Sequence, residues 1–262
     1  MQDILKVEKN TDSIVRLILN DEKSGNSLSD EMISLMSSRL EEISNNEDIK
    51  VVVIASTGKI FCAGHNLKEM TEARQNNDEG KSYFTNLFQS CSDMMQSIVN
   101  CPKPVIAEID GIATAAGCQL VASCDLAIAS DTSSFATPGV NLGLFCSTPM
   151  VALSRNVKKK DAMKMLLTGE MIDAEEAKRI SLINDYVVSE KLPVEVMNLA
   201  KKIASKSMKT VNIGKSAFYK QAELSLSDAY RYTSEVMAKN IMNDDAKEGI
   251  ASFIEKRDPN WD

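Results

Sequence analysis

Histidine and cysteine are the residue types in this sequence best suited to proton transfer, nucleophilic attack or metal binding. The chain has one histidine, His65, and six cysteines. The cysteines are Cys62, Cys91, Cys101, Cys118, Cys124 and Cys146. A lone imidazole can donate a proton, but without a partner it is more often structural. Because no two cysteines form a C-x-x-C pair, we expect reduced thiols and no metal site.

Two loops rich in small residues are the other places where chemistry could occur. Residues 56–67 follow an apolar stretch and contain Gly64, and residues 111–117 follow another and contain Gly117. An isolated glycine is usually a turn or packing residue. Small residues in such loops would let a ligand approach the backbone closely.

Apolar periodicity predicts the elements that position these loops. Strands alternate with helices to about residue 188, which is the βαβ rhythm of an α/β fold. The predicted strands are residues 13–20, 51–55, 104–110 and 125–130. The predicted helices are one capped by Ser27 or Ser29, one over residues 83–99 and one of small residues ending at Cys124. After residue 192 the pattern is helical only, to about residue 256, with no linker composition between the two parts.

The bulk composition is that of a globular protein. The chain has 262 residues, 44% of them hydrophobic and 26% charged, with a net charge of −7. An acidic surface disfavours non-specific nucleic-acid binding. No apolar run reaches bilayer-spanning length, and residues 1–10 lack the features of a secretion signal or transit peptide. The sequence therefore predicts a cytoplasmic protein with no nucleic-acid or membrane partner.

Several stretches, in the same order along the chain, resemble the motifs of the crotonase (enoyl-CoA hydratase/isomerase) superfamily. KIFCAGHNLKEM (59–70) is similar to Phe-x-x-Gly-x-Asp-φ, where φ is apolar. DGIATAAGCQLVASCD (110–125) is similar to Gly-x-x-x-Gly-Gly-Gly-x-Glu-φ, and FATPGVNLG (135–143) to Phe-x-x-Pro-Glu-φ-x-φ-Gly. EGIASFIEKRDPNW (248–261) resembles the closing helix of the family. Within the superfamily, the likeness is greatest to the enoyl-CoA hydratase domain-containing proteins.

This resemblance implies an architecture and an oxyanion site. The expected fold is α/β: residues 1–190 form a crotonase-type spiral of ββα units that binds acyl-CoA. Residues 191–262 form a helical region that mediates a homotrimer, and two trimers stack into a hexamer. By position, the backbone N–H groups of His65 and Ala116 stabilise the oxyanion of a thioester enolate. Ala116 is expected at a helix N-terminus, where the helix dipole favours negative charge.

The resemblance also implies how coenzyme A is held. Lys23, Lys59 and Lys68 match positions that hold its phosphates, and Phe253 with Lys256 match a pair that often serves a neighbouring subunit's ligand. Lysine suits phosphate as a point charge, although each lysine alone is more often a solvated charge. Coenzyme A would be part of the substrate, no other cofactor is expected to be tightly bound, and the setting would be fatty acid metabolism.

The chain departs from the family at both catalytic carboxylates. Gln119 stands at the first glutamate position and Gly139 at the second. An amide cannot exchange a proton near neutral pH, so classical hydration and isomerisation should be crippled. Cys146, beside the expected acyl pocket, needs a depressed pKa to act as a nucleophile, and a small pocket-lining residue is the favoured interpretation. Glu69 could reach the pocket mouth, but a solvated surface carboxylate is favoured.

Three hypotheses remain open. The first is an enzyme of the hydratase/isomerase family that uses the His65/Ala116 oxyanion hole with non-standard acid/base groups. The second is an acyl-CoA decarboxylase or thioester hydrolase, since His65 and residues 137–143 also resemble the methylmalonyl-CoA decarboxylase branch. The third is a non-catalytic acyl-CoA-binding protein. Ligand binding without turnover separates the third from the others.

Overall fold

A computed structural model describes residues 3–10 and 12–261, and the structural statements below concern those residues. Four residues lie outside this description: Met1, Gln2, Thr11 and Asp262. The first two belong to the stretch, residues 1–10, on which the prediction of no leader rests. The described strands are β1 (Leu5–Lys9), β2 (Ile14–Leu19), β3 (Val51–Ser56), β4 (Ile60–Cys62), β5 (Val105–Ile109), β6 (Ile112–Thr114), β7 (Leu126–Ser130), β8 (Ser134–Ala136), β9 (Ile172–Asp173) and β10 (Asp185–Val187). The strands predicted from apolar runs are β2, β3, β5 and β7, and the α/β class is confirmed.

Helices connect and cover these strands. The described helices are α1 (Asp30–Ser44), α2 (Leu67–Ala73), α3 (Lys81–Asn100), α4 (Ala116–Ser123), α5 (Pro149–Asn156), α6 (Lys159–Thr168), α7 (Ala174–Arg179), α8 (Leu192–Ala204), α9 (Met208–Ala222), α10 (Leu226–Asn240) and α11 (Asp244–Glu255). Ser29 caps α1, because its side chain accepts a hydrogen bond from the Met32 N–H. Short 3₁₀ turns span Glu22–Ser24, Pro138–Leu142 and Ser189–Lys191.

The larger sheet has six strands in the order β1-β2-β3-β5-β7-β10. Apart from the antiparallel pair β1 and β2, neighbouring strands run parallel. Residues Val51 to Ala55 are all apolar and buried, as expected for a parallel strand covered on both faces. On one face α8 packs through a small apolar cluster, and on the other the main core includes residues of α1 and α3.

The smaller sheet positions the loops of interest. Its order is β4-β6-β8-β9, and β4, β6 and β8 run parallel. Their carboxyl ends therefore lie at one edge, where parallel sheets carry their ligand sites. Residues 63–66, Ala115 and residues 137–139 follow these three strands directly. The sequence did not predict β4 and β6, because three-residue strands are too short for a periodic signal.

The C-terminal part is helical, as predicted, from α8 to α11. Its first helix belongs with the sheet, since Leu192, Val196 and Ala200 of α8 pack against Val51 and Val53. The remaining helices pack mainly on one another, α9 against α10 and α11. Among the helices described, none is long and apolar enough to cross a bilayer.

Candidate active site

The two small-residue loops of the sequence meet in the structure. Gly64 has φ of +97°, and a Cβ added to it would lie 3.0 Å from the Ala115 Cβ and 3.3 Å from the Ala116 nitrogen. The loop after β4 therefore touches the first residue of α4. Glycine is required at 64 both by this contact and by the positive φ.

The loop that contains His65 is held on its other side by the N-terminal part of the chain. The Gly64 carbonyl accepts a hydrogen bond from the Leu28 N–H at 2.7 Å, and the Ala63 N–H donates to the Gly25 carbonyl at 3.0 Å. Asn66 caps α2 by accepting from the Lys68 and Glu69 N–H groups. Because the flanking groups are bonded in this way, the backbone at His65 is fixed before any ligand arrives.

The start of α4 is built by an unusual backbone. Ala115 has φ of +50° and ψ of −116°, a region that L-residues rarely adopt, and its N–H donates to the Ala136 carbonyl at 2.9 Å. No side chain caps α4. The N-terminal N–H groups of an uncapped helix favour an anionic partner. Gly117 lets α4 approach β4, because a Cβ there would lie 2.1 Å from the Cys62 carbonyl oxygen.

The His65 imidazole lies in apolar surroundings. Its Nδ1 is 3.4 Å from the Leu28 carbonyl oxygen, its ring meets Phe88 edge-on, and Nε2 is buried with no partner in the described chain. Burial lowers the pKa of His65, opposed by the Leu28 carbonyl and the Asp30 charge. The ring is therefore neutral near pH 7 and cannot act as a charged imidazolium acid.

Gln119 and Gly139 occupy different surroundings. Gln119 lies on α4, is 4% exposed, and its Oε1 has no hydrogen-bond partner among the described residues. At Gly139, a Cβ would lie 2.2 Å from the Leu144 carbonyl oxygen and 2.8 Å from the Cys146 sulfur. The residues after the 3₁₀ turn thus fill the space into which a side chain at 139 would project, and a glutamate cannot be accommodated there without backbone movement.

The thiols near the site are buried and free. Burial raises the pKa of Cys146, and the Gly139 N–H opposes that rise. This direction disfavours a nucleophilic thiolate. Burial raises the pKa of Cys118 to about 12 and also raises that of Cys124, which fits packing residues. No group of His, Cys, Asp or Glu side chains in the described chain converges as a metal cluster would.

Glu69 is tied to α1 rather than free in solvent. Its Oε2 accepts a hydrogen bond from the Asp30 N–H at 3.1 Å, and its Oε1 accepts one from the Asn66 side chain at 3.3 Å. Burial raises its pKa, and the Asp30 N–H opposes the rise. Glu69 was predicted to be a solvated surface carboxylate, and the structure shows instead that it links α1 to α2.

Of the five predicted coenzyme A residues, Lys23 and Lys59 lie on neighbouring segments, and Lys68 lies in the first turn of α2. Lys23, Lys59 and Lys68 are exposed, and Gly58 brings the turn of Lys59 against Glu22, next to Lys23. Phe253, which is 85% exposed, and Lys256 lie on and just after α11, which packs on α9. No contact in the described chain brings these two residues to the three lysines.

Asn26 is a structural contributor to the site that the sequence did not reveal. It is fully buried with φ of +52°. Its amide donates to the Thr57 and Ile60 carbonyls, and its Oδ1 accepts from the Asp21 N–H. One side chain thus joins the Lys23 loop to the segment that leads into β4. Residues 21–26 (DEKSGN) are a polar stretch, and nothing in its composition marked Asn26 as this link.

The sequence and fold comparisons define the class of protein. A profile of the enoyl-CoA hydratase/isomerase family matches residues 9–262. This chain therefore belongs to the enoyl-CoA hydratase/isomerase family, and its fold is the crotonase fold.

Its relatives include enoyl-CoA hydratase domain-containing protein 3, mitochondrial, of Rattus norvegicus, 49% identical over 95% of this chain and 82% of the relative. The probable enoyl-CoA hydratase, mitochondrial, of Dictyostelium discoideum is 33% identical over 93% of this chain and 85% of the relative. The crystal structure of human enoyl-Coenzyme A hydratase domain-containing protein 3 matches with a TM-score of 0.93 and 45% identity, covering 98% of this chain and all of that chain.

The cytoplasmic prediction is wrong, since the rat, mouse, human and Dictyostelium relatives are named mitochondrial. That prediction rested on the absence of leader features in residues 1–10. The absence of a signal in ten residues carries no information about compartment.

Proposed function

We propose that this protein binds an acyl-CoA thioester and stabilises its enolate through the backbone N–H groups of His65 and Ala116. The observation that carries the proposal is the contact between Gly64 and the Ala115–Ala116 backbone, which sets two donor segments side by side at the carboxyl ends of parallel strands. Rigid backbone donors stabilise oxyanion charge with little reorganisation, and the uncapped start of α4 adds to the effect.

Coenzyme A would be held at the mouth of this site by Lys23, Lys59 and Lys68. The exposure of the three lysines and the neighbouring positions of the Lys23 and Lys59 segments support a phosphate-binding role. Phe253 and Lys256 would reach the coenzyme of an adjacent subunit, since in their own chain they lie on and after α11. Coenzyme A arrives and leaves as part of the substrate, and no other cofactor is proposed.

The proposed assembly is a homotrimer, or a hexamer of two trimers. Large exposed apolar side chains on the C-terminal helices support it. The names of the relatives support a mitochondrial location.

The reaction class is that of a lyase or isomerase of this family, with acid/base groups other than two glutamates. Gln119 can orient a water or a carbonyl but not exchange its proton. There are two alternatives. One is decarboxylation or thioester hydrolysis, which depend less on acid/base groups at positions 119 and 139. The other is binding without turnover.

Two measurements test the proposal. The purified protein is incubated with crotonyl-CoA in heavy water and the thioester is followed by mass spectrometry, and calorimetry measures the binding of the acyl-CoA. The matched variants are Gly64→Ala and Gly214→Ala. The first places a methyl group 3.2 Å from the Thr114 carbonyl oxygen, whereas the second, on α9, meets nothing within 4 Å. We expect the thioester to bind wild type and Gly214→Ala, and Gly64→Ala to lose any water addition or deuterium uptake.

Failure of any acyl-CoA to bind wild type would contradict the proposal. Equal deuterium uptake by folded Gly64→Ala and Gly214→Ala would contradict the assigned oxyanion site. Tight binding with an unchanged thioester mass would favour a different reaction or the non-catalytic alternative.

A further inference from the structure

One buried asparagine closes the loop that carries Lys23. Asn26 is fully buried, its N–H donates to the Asp21 carbonyl at 2.8 Å, and its Oδ1 accepts from the Asp21 N–H at 2.7 Å. Lys23 lies between these two bonded residues, on the 3₁₀ turn Glu22–Ser24. The backbone of Lys23 is therefore fixed by both the main chain and the side chain of Asn26.

The nitrogen of the same side chain holds the turn that carries Lys59. The Asn26 Nδ2 donates to the Thr57 carbonyl at 2.8 Å and to the Ile60 carbonyl at 2.7 Å. Lys59 lies between these two acceptors in sequence. Because both the nitrogen and the oxygen of the amide bind backbone groups, Asn26 holds the Lys23 loop and the Lys59 turn at a set separation.

The residues that flank Asn26 are bonded to the loop that presents the His65 N–H. The Gly25 carbonyl accepts a hydrogen bond from the Ala63 N–H at 3.0 Å, and Leu28 forms a parallel bridge with His65. One continuous segment therefore connects the lysines expected to bind phosphate with the backbone expected to bind the thioester oxygen.

We propose that Asn26 is a positioning residue that sets the register between the two lysines and the His65 N–H, an inference that rests on the proposed function. The nucleotide and the thioester of one acyl-CoA molecule then reach their sites together. When the two sites are correctly separated, the second end of a ligand binds as an intramolecular event, and the whole ligand gains affinity over either part. A shift of one site relative to the other lowers that gain even when each site is intact.

Two substitutions remove the link in different ways. The φ of Asn26 is +52°, a region that glycine adopts readily, so Asn26→Gly keeps the backbone conformation and removes every side-chain bond. Asn26→Asp keeps the acceptor for the Asp21 N–H and leaves at most one donor for the two carbonyls. The matched control is Asn20→Ala. Asn20 is 3% exposed and donates to the Asp3 carbonyl at 2.7 Å, so it supports β1 rather than the site.

The experiment compares an acyl-CoA with its two parts. Calorimetry measures the binding of crotonyl-CoA, of phospho-ADP (the nucleotide part of coenzyme A) and of crotonyl-pantetheine to wild type and the three variants. In both Asn26 variants each part should bind within about 3-fold of wild type, whereas crotonyl-CoA should bind at least about 10-fold more weakly, since a misplacement of about 1 Å costs up to about 10²-fold. Asn20→Ala should lower the melting temperature without changing the affinity of crotonyl-CoA relative to its parts.

Other outcomes overturn the inference. Asn26 variants that bind crotonyl-CoA as tightly as wild type would show that the amide does not set the register. An equal loss of affinity for the whole thioester and for both parts would mean that Asn26 supports the fold alone. Failure of wild type to bind crotonyl-CoA would instead remove the proposed function. Asn26→Asp nearly preserves the side-chain volume, so the test survives if the glycine variant does not fold.

Discussion

Lys215 of α9 forms an ion pair with Asp125, which lies between α4 and β7, with 2.6 Å between Nζ and Oδ2. The two side chains are 7% and 16% exposed. Lys215 also donates to the Ile98 and Lys103 carbonyls, and Asp125 accepts from the Val105 N–H and the Tyr219 hydroxyl. One lysine thus attaches the C-terminal helices to α3 and to the segment behind α4.

Removing this cation should destabilise the fold strongly. Lys215→Met leaves the Asp125 carboxylate buried without its charge partner, and such a loss costs about 3–5 kcal/mol. Lys178→Met is the matched control, since the Lys178–Asp185 pair has a similar distance, 2.7 Å, but side chains 47% and 55% exposed. An exposed pair contributes about 0–1 kcal/mol. Urea unfolding measures both, and equal losses of unfolding free energy would refute the anchoring role.

Ala115→Gly should stabilise the protein. The φ of +50° at Ala115 is unfavourable for a residue with a Cβ, by about 1–3 kcal/mol, and glycine relieves it. The same substitution at Ala122, inside α4, should destabilise by about 1 kcal/mol because glycine weakens a helix. Thermal unfolding should show shifts of opposite sign. Destabilisation at both positions would mean that the backbone at 115 is not strained.

Restoring carboxylates should be tolerated at one position and not at the other. Gln119→Glu changes only the end of a side chain of equal size. Gly139→Glu places its Cβ 2.2 Å from the Leu144 carbonyl oxygen, so the loop must move. We expect Gln119→Glu to fold, with its buried carboxyl kept protonated, and Gly139→Glu to lose several kcal/mol, as overpacked sites do. Circular dichroism melts compare them, and a Gly139→Glu protein as stable as wild type would show that this loop rearranges readily.

The C-terminal tail should detach in acid. The Arg257 guanidinium, followed by the Asn260 N–H, lowers the pKa of Glu248 from 4.5 to about 2. A lowered carboxylate pKa stabilises the folded form above about pH 4.5, and the effect is lost as the pH falls towards 2. Trp261, the single tryptophan, lies over Gly249 and donates to the Ser205 carbonyl, so its fluorescence reports release.

In Arg257→Gln the transition should move to higher pH, because Glu248 loses its main partner. Arg231→Gln, which removes an exposed i,i+3 pair on α10, is the control and should leave the transition in place. Fluorescence that stays constant from pH 5 to pH 2 in wild type would contradict the role of Glu248.

The assembly should be a trimer or a hexamer. In the single subunit the side chains of Phe253, Leu226 and Ile254 are 85%, 76% and 73% exposed. Apolar side chains this exposed on the C-terminal helices favour burial against another subunit. Sedimentation should give three or six times 28.8 kDa. Leu226→Asp should dissociate the assembly, whereas Val7→Asp, on the edge strand β1, should not. A wild-type monomer would contradict the proposed assembly.

The sequence by itself determined the class of fold and the order of its main elements. The apolar runs of β2, β3, β5 and β7 and the helical periodicity after residue 192 are local signals, because a strand buried on both faces requires apolar side chains along its length. The resemblance of four motifs, in the same order along the chain, was sufficient to name the superfamily.

Only the tertiary structure decided which small residues meet. Gly64 and Ala115 are 51 positions apart, and their contact depends on the parallel pairing of β4 with β6, strands too short to predict. The same holds for Asn26 between two loops and for Lys215 beside α3. Each of these contacts depends on a backbone path between distant segments, which the side-chain pattern of either segment does not contain.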